Sequence, residues 1–304
     1  MSSAVTAPPA KKASRRRLVE RREARAGILF VLPVVILFLV FKLFPVLGGI
    51  GISLGDYKIT GAFEFLGVEN YQEMLTDSAF WDSFWVTVIY TVAVVPILMT
   101  IAISLAILVR RMGPFIKFFR AAYFVPSITS LVLAGAVFVW VFNAGGIIPR
   151  IGELFGGSGR SWLGHSTLAL VAIIFVAVWG RFGFDMLVVL ARLQDLPREL
   201  DEAALVDGAN GWQRFWHITF PQLRPQLFFL VVIETTFSFQ VFDVVYVMTG
   251  GGPAGSTNVL GMLLYEEAFR LFNFGYAAAI GVAMMILLVA LALIQRAVMD
   301  RGSD

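Results

Sequence analysis

The sequence of 304 residues contains no cysteine and only two histidines, His165 and His217. Without cysteine there can be no disulfide bonds, thiolate metal sites or cysteine nucleophiles, and two histidines are too few for a histidine-rich metal site. Charged residues make up only 15%, against about 25% in a typical soluble domain, whereas hydrophobic residues reach 58%, against about 45–50%. Together with a mean hydropathy of +0.80, this scarcity of charge predicts an integral membrane protein.

The apolar residues fall into six segments: 26–52, 84–109, 119–142, 167–193, 226–248 and 275–297. Each reaches the ~20 residues that a helix needs to cross ~30 Å of hydrocarbon, and bilayer helices tolerate the Gly and Pro found inside them. The first segment is longer than the about 7–15 apolar residues of a signal peptide, so we expect an uncleaved helix. We therefore predict an all-α bundle of six transmembrane helices within residues 26–300.

Charge is distributed unevenly among the connections. Residues 1–25 form a basic tail that we expect to be disordered or loosely bound to anionic lipid. The connection between the second and third segments carries four basic residues and no acid: Arg110, Arg111, Lys117 and Arg120. The connection after the first segment carries one lysine and six acids: Lys58, Asp56, Glu64, Glu69, Glu73, Asp77 and Asp82. Because basic residues are retained on the cytoplasmic side, both termini, including residues 301–304, are predicted to be cytoplasmic.

Residues 194–225 form the longest predicted cytoplasmic connection and have helical character. Pro197 can occupy a first helical turn, and the acids that follow it suit a helix N-terminus. Gly208 can end this short helix in a left-handed cap. A second amphipathic stretch, 212–220, is expected to end at Pro221. Two short helices on one membrane face predict a docking surface.

The same loop resembles the "EAA" loop of ATP-binding-cassette (ABC) importer permeases. It reads Glu202-Ala203-Ala204, three residues, Gly208, nine residues, Ile218, one residue, and Phe220-Pro221, where the family usually has Leu in place of Phe220. In that family the loop forms helices that enter a cleft of the ATPase subunit. The resemblance therefore implies that the residues coupling transport to the ATPase are Glu202, Ala203, Ala204, Asp207, Gly208, Ile218 and Pro221.

Further motifs resemble the carbohydrate-uptake branch of this family, the maltose-type and glycerol-3-phosphate-type permeases. They are Phe65-x-Gly67-x-x-Asn70-Tyr71, Trp179 with Gly183 and Met186, Leu193-Gln194 with Pro197, and Thr249-Gly250-Gly251-Gly252-Pro253. The resemblance implies a type I importer fold with a five-helix core plus an N-terminal helix. It also implies a prokaryotic inner membrane location and a sugar, oligosaccharide, polyol or glycerol phosphate ester as solute.

That family assembles from several chains. The resemblance implies a second homologous permease, an ATPase dimer that binds ATP and Mg, and an extracytoplasmic solute-binding protein, besides membrane lipid. The chain itself has no nucleotide motif, because the Gly-rich stretch 250–257 lacks the lysine of a P-loop. We therefore expect neither enzymatic activity, nor a directly bound cofactor, nor nucleic-acid binding.

Four ionisable residues lie away from the ends of the fourth and fifth apolar segments: Arg181, Asp185, Glu234 and Asp243. Such residues usually face a cavity or a partner. Arg181 and Asp185 share a helix face and could form a structural pair. Alternatively, by resemblance to the maltose importer, the substrate path is lined by Arg181, Phe184, Asp185, Glu234, Phe237, Ser238 and Val241, with Gln240 and Asp243 on another face.

The charge state of Arg181 leaves two solute classes open. An unpaired Arg181 favours an anionic ligand such as a phosphate ester, whereas an Arg181 neutralised by an acid suits a neutral sugar.

Two alternatives to an importer permease belong to other functional classes. An ion-coupled secondary carrier would use the intramembrane Asp and Glu residues and would show an internal repeat, and a membrane enzyme would need a catalytic cluster; the sequence shows neither feature.

Overall fold

A computed structural model describes residues 23, 26–110 and 115–301. The chain divides into two compact units, residues 1–52 and 53–304. The first unit contains helix α1 (Ala26–Ile52), whose mean hydropathy of 2.8 and 27 residues suit a membrane span. A π-helical turn, Leu39–Leu43, interrupts its α-helical geometry. Except for Glu23, the predicted basic tail lies outside the described residues, as do Arg111 and the tail 302–304.

The second unit begins with a small β-hairpin that the all-α prediction did not include. Strands β1 (Gly55–Tyr57) and β2 (Phe63–Phe65) pair antiparallel, with Gly55 opposite Phe65. Helix α2 (Glu69–Thr76) follows, and the Asn70 side-chain amide donates to the carbonyls of Ser53 and Gly55 at 3.0 Å each. The asparagine of the F-x-G-x-x-N-Y motif therefore fastens the hairpin to α2.

The remaining helices carry the core. They are α3 (Ser78–Arg110), α4 (Ile116–Ile128), α5 (Leu131–Phe142), α6 (Ile147–Leu154), α7 (Ser166–Asp195), α8 (Arg198–Val206), α9 (Gly211–Arg214), α10 (Phe220–Phe239), α11 (Asp243–Met248), α12 (Leu260–Tyr265) and α13 (Phe274–Arg301). Helices α3 and α7 pack along their length around fully buried Leu98, Ile173 and Met186. A glycine at position 183 allows α7 to lie against the backbone of α4, since a Cβ there would overlap the Tyr123 carbonyl oxygen.

Among the described residues, five helical segments are long and apolar enough to cross a membrane: Ala26–Ile52, Ser78–Arg110, Leu131–Leu154, Ser166–Asp195 and Phe274–Met299. The predicted helix 119–142 is divided, because the Thr129 N–H bonds to the Pro126 carbonyl, Thr129 is extended and Ser130 is not helical. The predicted helix 226–248 is also divided, because α10 ends at Phe239 and Phe242 leaves helical geometry. The membrane-embedded helical fold is confirmed, but the assumption of one unbroken helix per apolar segment is wrong at these two places.

Candidate functional site

The first half of the Glu-Ala-Ala loop, residues 194–225, forms α8. Pro197 occupies the N-cap position, and Glu199 and Asp201 lie in the first turn, where the helix dipole favours acids. At the other end Gly208 has φ +79 and its N–H bonds to the Leu205 carbonyl, while the Ala209 N–H bonds to the Ala204 carbonyl. These two bonds form a Schellman cap, so the predicted left-handed cap at Gly208 is confirmed.

Most of the predicted coupling residues in α8 and its cap are exposed. Glu202, Ala203, Asp207 and Gly208 face outward, whereas Ala204 is buried. Two neighbouring apolar side chains that the sequence analysis did not single out are also exposed, Leu205 at 55% and Val206 at 88%. Acidic, small and apolar groups thus share one open surface, which is typical of a binding face.

The second half of the loop begins at a capping box, in which Asn210 and Gln213 exchange side-chain-to-backbone hydrogen bonds of 2.9 Å. Helix α9 then continues through a π-helical turn, Phe215–Thr219, directly into α10. The prediction that the amphipathic stretch ends at Pro221 is wrong. Pro221 is the second residue of α10, which directly follows the π-helical turn, and the Phe220 N–H bonds back to the Phe215 carbonyl. Ile218 and Pro221 are half-buried.

Charged contacts connect this loop to the end of α3. Asp201 lies 3.9 Å from both Arg110 and Arg214. The three side chains border a groove of about 650 Å³ between α3, α7 and the loop, and Trp212 and Phe215 line the same groove. The loop is therefore connected to the bundle by charge as well as through the two helices at its ends.

A second cavity, of about 150 Å³, lies beside α7 and the break between α10 and α11. It is lined by Tyr90, Val94, Leu131, Ala177, Arg181, Phe237, Ser238, Gln240, Val241, Phe242, Asp243 and Val244. Four of the predicted substrate-path residues are in this wall: Arg181, Phe237, Ser238 and Val241. The cavity brings together hydroxyl, amide and aromatic groups, which suits a ligand with both hydroxyl groups and apolar faces.

Arg181 is held by an acid on another helix. Its Nε and Nη2 donate to the two carboxylate oxygens of Glu234 at 2.5 Å each, and Glu234 is fully buried. The guanidinium carbon lies 4.0 Å from the centroid of the Phe237 ring. The alternative of an Arg181–Asp185 pair on one helix is wrong, because the planar guanidinium makes its bidentate contact across to α10. Asp185 is buried, and neither of its carboxylate oxygens has a hydrogen-bond partner among the described residues.

The remaining predicted residues have other positions. Phe184 is 40% exposed and is not in the cavity wall, and its N–H donates to the Ser127 hydroxyl of α4. Gln240 and Asp243, which helical periodicity placed on another face, line the same cavity as Phe237 because α10 ends at Phe239. Tyr90 was missed, since nothing in the local sequence of α3 distinguishes it from a core aromatic residue.

The described residues contain no cluster of three or more His, Cys, Asp or Glu side chains that could hold a metal ion.

The chain matches the family described as "Binding-protein-dependent transport system inner membrane component" over residues 75–303. It is 32% identical to the trehalose/maltose transport system permease protein MalF of Thermococcus litoralis, over 90% of this chain and 93% of that protein. It is 34% identical to the lactose transport system permease protein LacF of Rhizobium radiobacter, over 88% and 92%.

A solved structure of a bacterial ABC transporter involved in the import of the acidic polysaccharide alginate has the same fold. Its TM-score is 0.83 at 20% identity, over 95% of this chain and 100% of that chain. The expected architecture of an importer permease is therefore present over nearly the whole chain.

Proposed function

Because this chain belongs to the family of binding-protein-dependent transport system inner membrane components, we propose that it conducts a sugar through the cavity beside Arg181. The chain is a multi-pass permease subunit of an ABC importer for carbohydrates, a transport component of the inner membrane and not an enzyme. The solutes named for the relatives, trehalose or maltose and lactose, make an oligosaccharide the solute to test first.

The observation that carries the solute path is the composition of the cavity wall. Phe237 offers a ring on which the C–H face of a sugar can stack, and the Tyr90 and Ser238 hydroxyls and the Gln240 amide offer hydrogen-bonding groups. Arg181 and Glu234 fix the shape of this wall by joining α7 to α10. Asp185 lies within electrostatic reach of both members of this pair.

We assign the Glu-Ala-Ala loop as the docking surface for a separate ATPase dimer, which would bind ATP and Mg. Its exposed Glu202 and Asp207 can pair with basic groups of that partner, and its exposed Val206 and Trp212, at 88% and 71%, can be buried on contact. This assignment places the loop and both chain termini in the cytoplasm, as the distribution of Lys and Arg favours.

A second homologous permease and an extracytoplasmic solute-binding protein complete the proposed importer. The family description itself includes dependence on a binding protein. Ring and aliphatic side chains remain exposed on the second unit, including Trp140 at 82% and Val137 at 64% on α5. Such surfaces suit contact with lipid or with a partner permease.

Replacing Gly208 with Leu is expected to abolish sugar uptake while leaving the insertion of the permease into the membrane intact. A side chain at φ +79 strains the Schellman cap, at a cost of roughly 1–2 kcal/mol, and adds bulk where the ATPase would approach. The measurement is sugar uptake into cells, normalised to the amount of permease in the membrane. Gly211→Leu is the matched control, because Gly211 lies in the same loop without a positive φ and with open space around it. Uptake by the Gly208 variant equal to that of the unmodified protein would refute the coupling role of Gly208.

The assembly is tested by purifying the tagged chain from its native membrane in mild detergent. We expect an ATPase and a second permease to be recovered with it, together with ATP hydrolysis. Recovery of this chain alone or as a homo-oligomer, with no ATPase activity, would contradict the coupling assignment and favour an ion-coupled carrier that uses the buried Asp185 and Glu234.

A further inference from the structure

The ionisable groups around the Arg181 cavity determine which charge a solute can carry there. The wall contains one cation, Arg181, and one carboxylate, the exposed Asp243. Two more carboxyl groups are buried near Arg181: Glu234, which is paired with it, and Asp185, which lies within electrostatic reach. Whatever the protonation state of Asp185, the sum of these charges is not positive.

Two of the five N–H donors of Arg181 are occupied by one buried carboxylate. Nε and Nη2 both donate to Glu234, and the guanidinium lies over the Phe237 ring. An incoming anion would have to compete with a fully buried carboxylate for these nitrogens, and it would leave that carboxylate unpaired. Uncompensated buried charges are strongly unfavourable, so an anion that displaced Glu234 would bind at a high cost, and with Glu234 in place the charge of Arg181 is already neutralised.

Asp243 strengthens the same preference. Because α10 ends at Phe239, the chain turns and brings the Asp243 carboxylate into the wall of the cavity. A carboxylate near an anionic solute repels it, whereas the hydroxyl groups of a neutral sugar can donate hydrogen bonds to it.

We propose that this cavity is specific for neutral saccharides and excludes acidic ones such as uronates, sulfonates and phosphate esters. The proposal rests on the proposed function of the cavity as the solute path. It assigns Glu234 and Asp243 as specificity-determining residues, Glu234 by neutralising Arg181 and Asp243 by repelling anions directly.

The test uses the purified importer complex without its binding protein, so that solute selection by that protein does not contribute. The probes are two trisaccharides, neutral maltotriose and anionic trigalacturonate, and the measurement is direct binding by titration calorimetry. We expect maltotriose to bind at least about tenfold more tightly than trigalacturonate. Glu234→Gln, which leaves Arg181 unpaired, is expected to reduce this ratio by about tenfold.

Asp243→Asn provides a second variant at an exposed position, in case Glu234→Gln does not fold, and it too is expected to reduce the ratio. Glu266→Gln removes an acid outside the cavity and is expected to leave the ratio unchanged. Tighter binding of trigalacturonate by the unmodified complex, or a ratio that neither cavity variant alters, would overturn the charge assignment alone. If neither maltotriose nor trigalacturonate binds, the cavity is not the solute path, and this inference fails with it.

Discussion

Gly183→Ala is expected to reduce the amount of folded protein sharply. A Cβ at this position would overlap the carbonyl oxygen of Tyr123 and would lie 3.0 Å from the Ser127 hydroxyl. Because the obstacle is backbone, no side-chain rotation relieves the overlap, and α4 and α7 must separate. We expect a cost at the upper end of overpacking effects, about 3 kcal/mol or more, measured as a lower melting temperature of the detergent-purified protein.

Gly135→Ala is the matched control for this substitution. Gly135 is also a buried helical glycine, but a Cβ there would meet Val247 Cγ1 at 3.5 Å, an ordinary van der Waals distance. This variant should melt close to the unmodified protein. If the two variants melt alike, α4 and α7 do not approach each other as closely as described here.

Glu234→Leu is expected to be nearly as damaging, because it leaves the Arg181 guanidinium unpaired in a part of the bundle where Glu234 is completely buried. Removing one partner of a buried ion pair typically costs about 3–5 kcal/mol, whereas replacing both partners by apolar residues is often neutral. The double variant Arg181→Met/Glu234→Leu should therefore recover most of the lost stability. The coupling between the two sites is measured by a double-mutant cycle of unfolding free energies.

The exposed pair between Arg270 and Glu266 provides the comparison. Its side chains are 53% and 27% exposed and lie four residues apart in one helical turn. Such pairs contribute about 0.3–0.5 kcal/mol, so Glu266→Gln should change the unfolding free energy by no more than that. A double variant as unstable as Glu234→Leu would show that the buried pair stabilises the fold through contacts other than charge.

Much of the fold could be predicted because its signals are local. A run of about 20 apolar residues is visible in any sequence, and the cap at Gly208 depends only on a helix of a few residues followed by glycine. The breaks at Ser130 and Phe242 were missed because hydropathy indicates whether a segment prefers lipid or water. It carries no information on the backbone dihedral angles. Pro126 was the one local signal for the first of them.

The cavity was only partly predictable for a different reason. The intramembrane charges were predicted to face a cavity or a partner, but Arg181 and Glu234 are 53 residues apart in sequence, and only tertiary packing brings them together. The i, i+4 rule favoured Asp185 because that rule considers one helix at a time. Similarly, Asp243 was placed on the wrong face because periodicity assumes an unbroken helix. The roles of the coupling and solute residues stay predictions until the variants above are measured.

Residues 211–239 form one continuous helical run from α9 through the π-helical turn into α10, and the places where this run can bend are that turn, Pro221 and Pro225. One end lies in the Glu-Ala-Ala loop and the other reaches Phe237 at the cavity, roughly 39 Å away at 1.5 Å per residue. Where the run moves as one body, a tilt of about 5° at the loop end displaces the cavity end by roughly 3 Å over that length, comparable to the width of a water molecule. With Glu234 near the far end tied to α7, such a rotation must carry both walls of the cavity or break the ion pair.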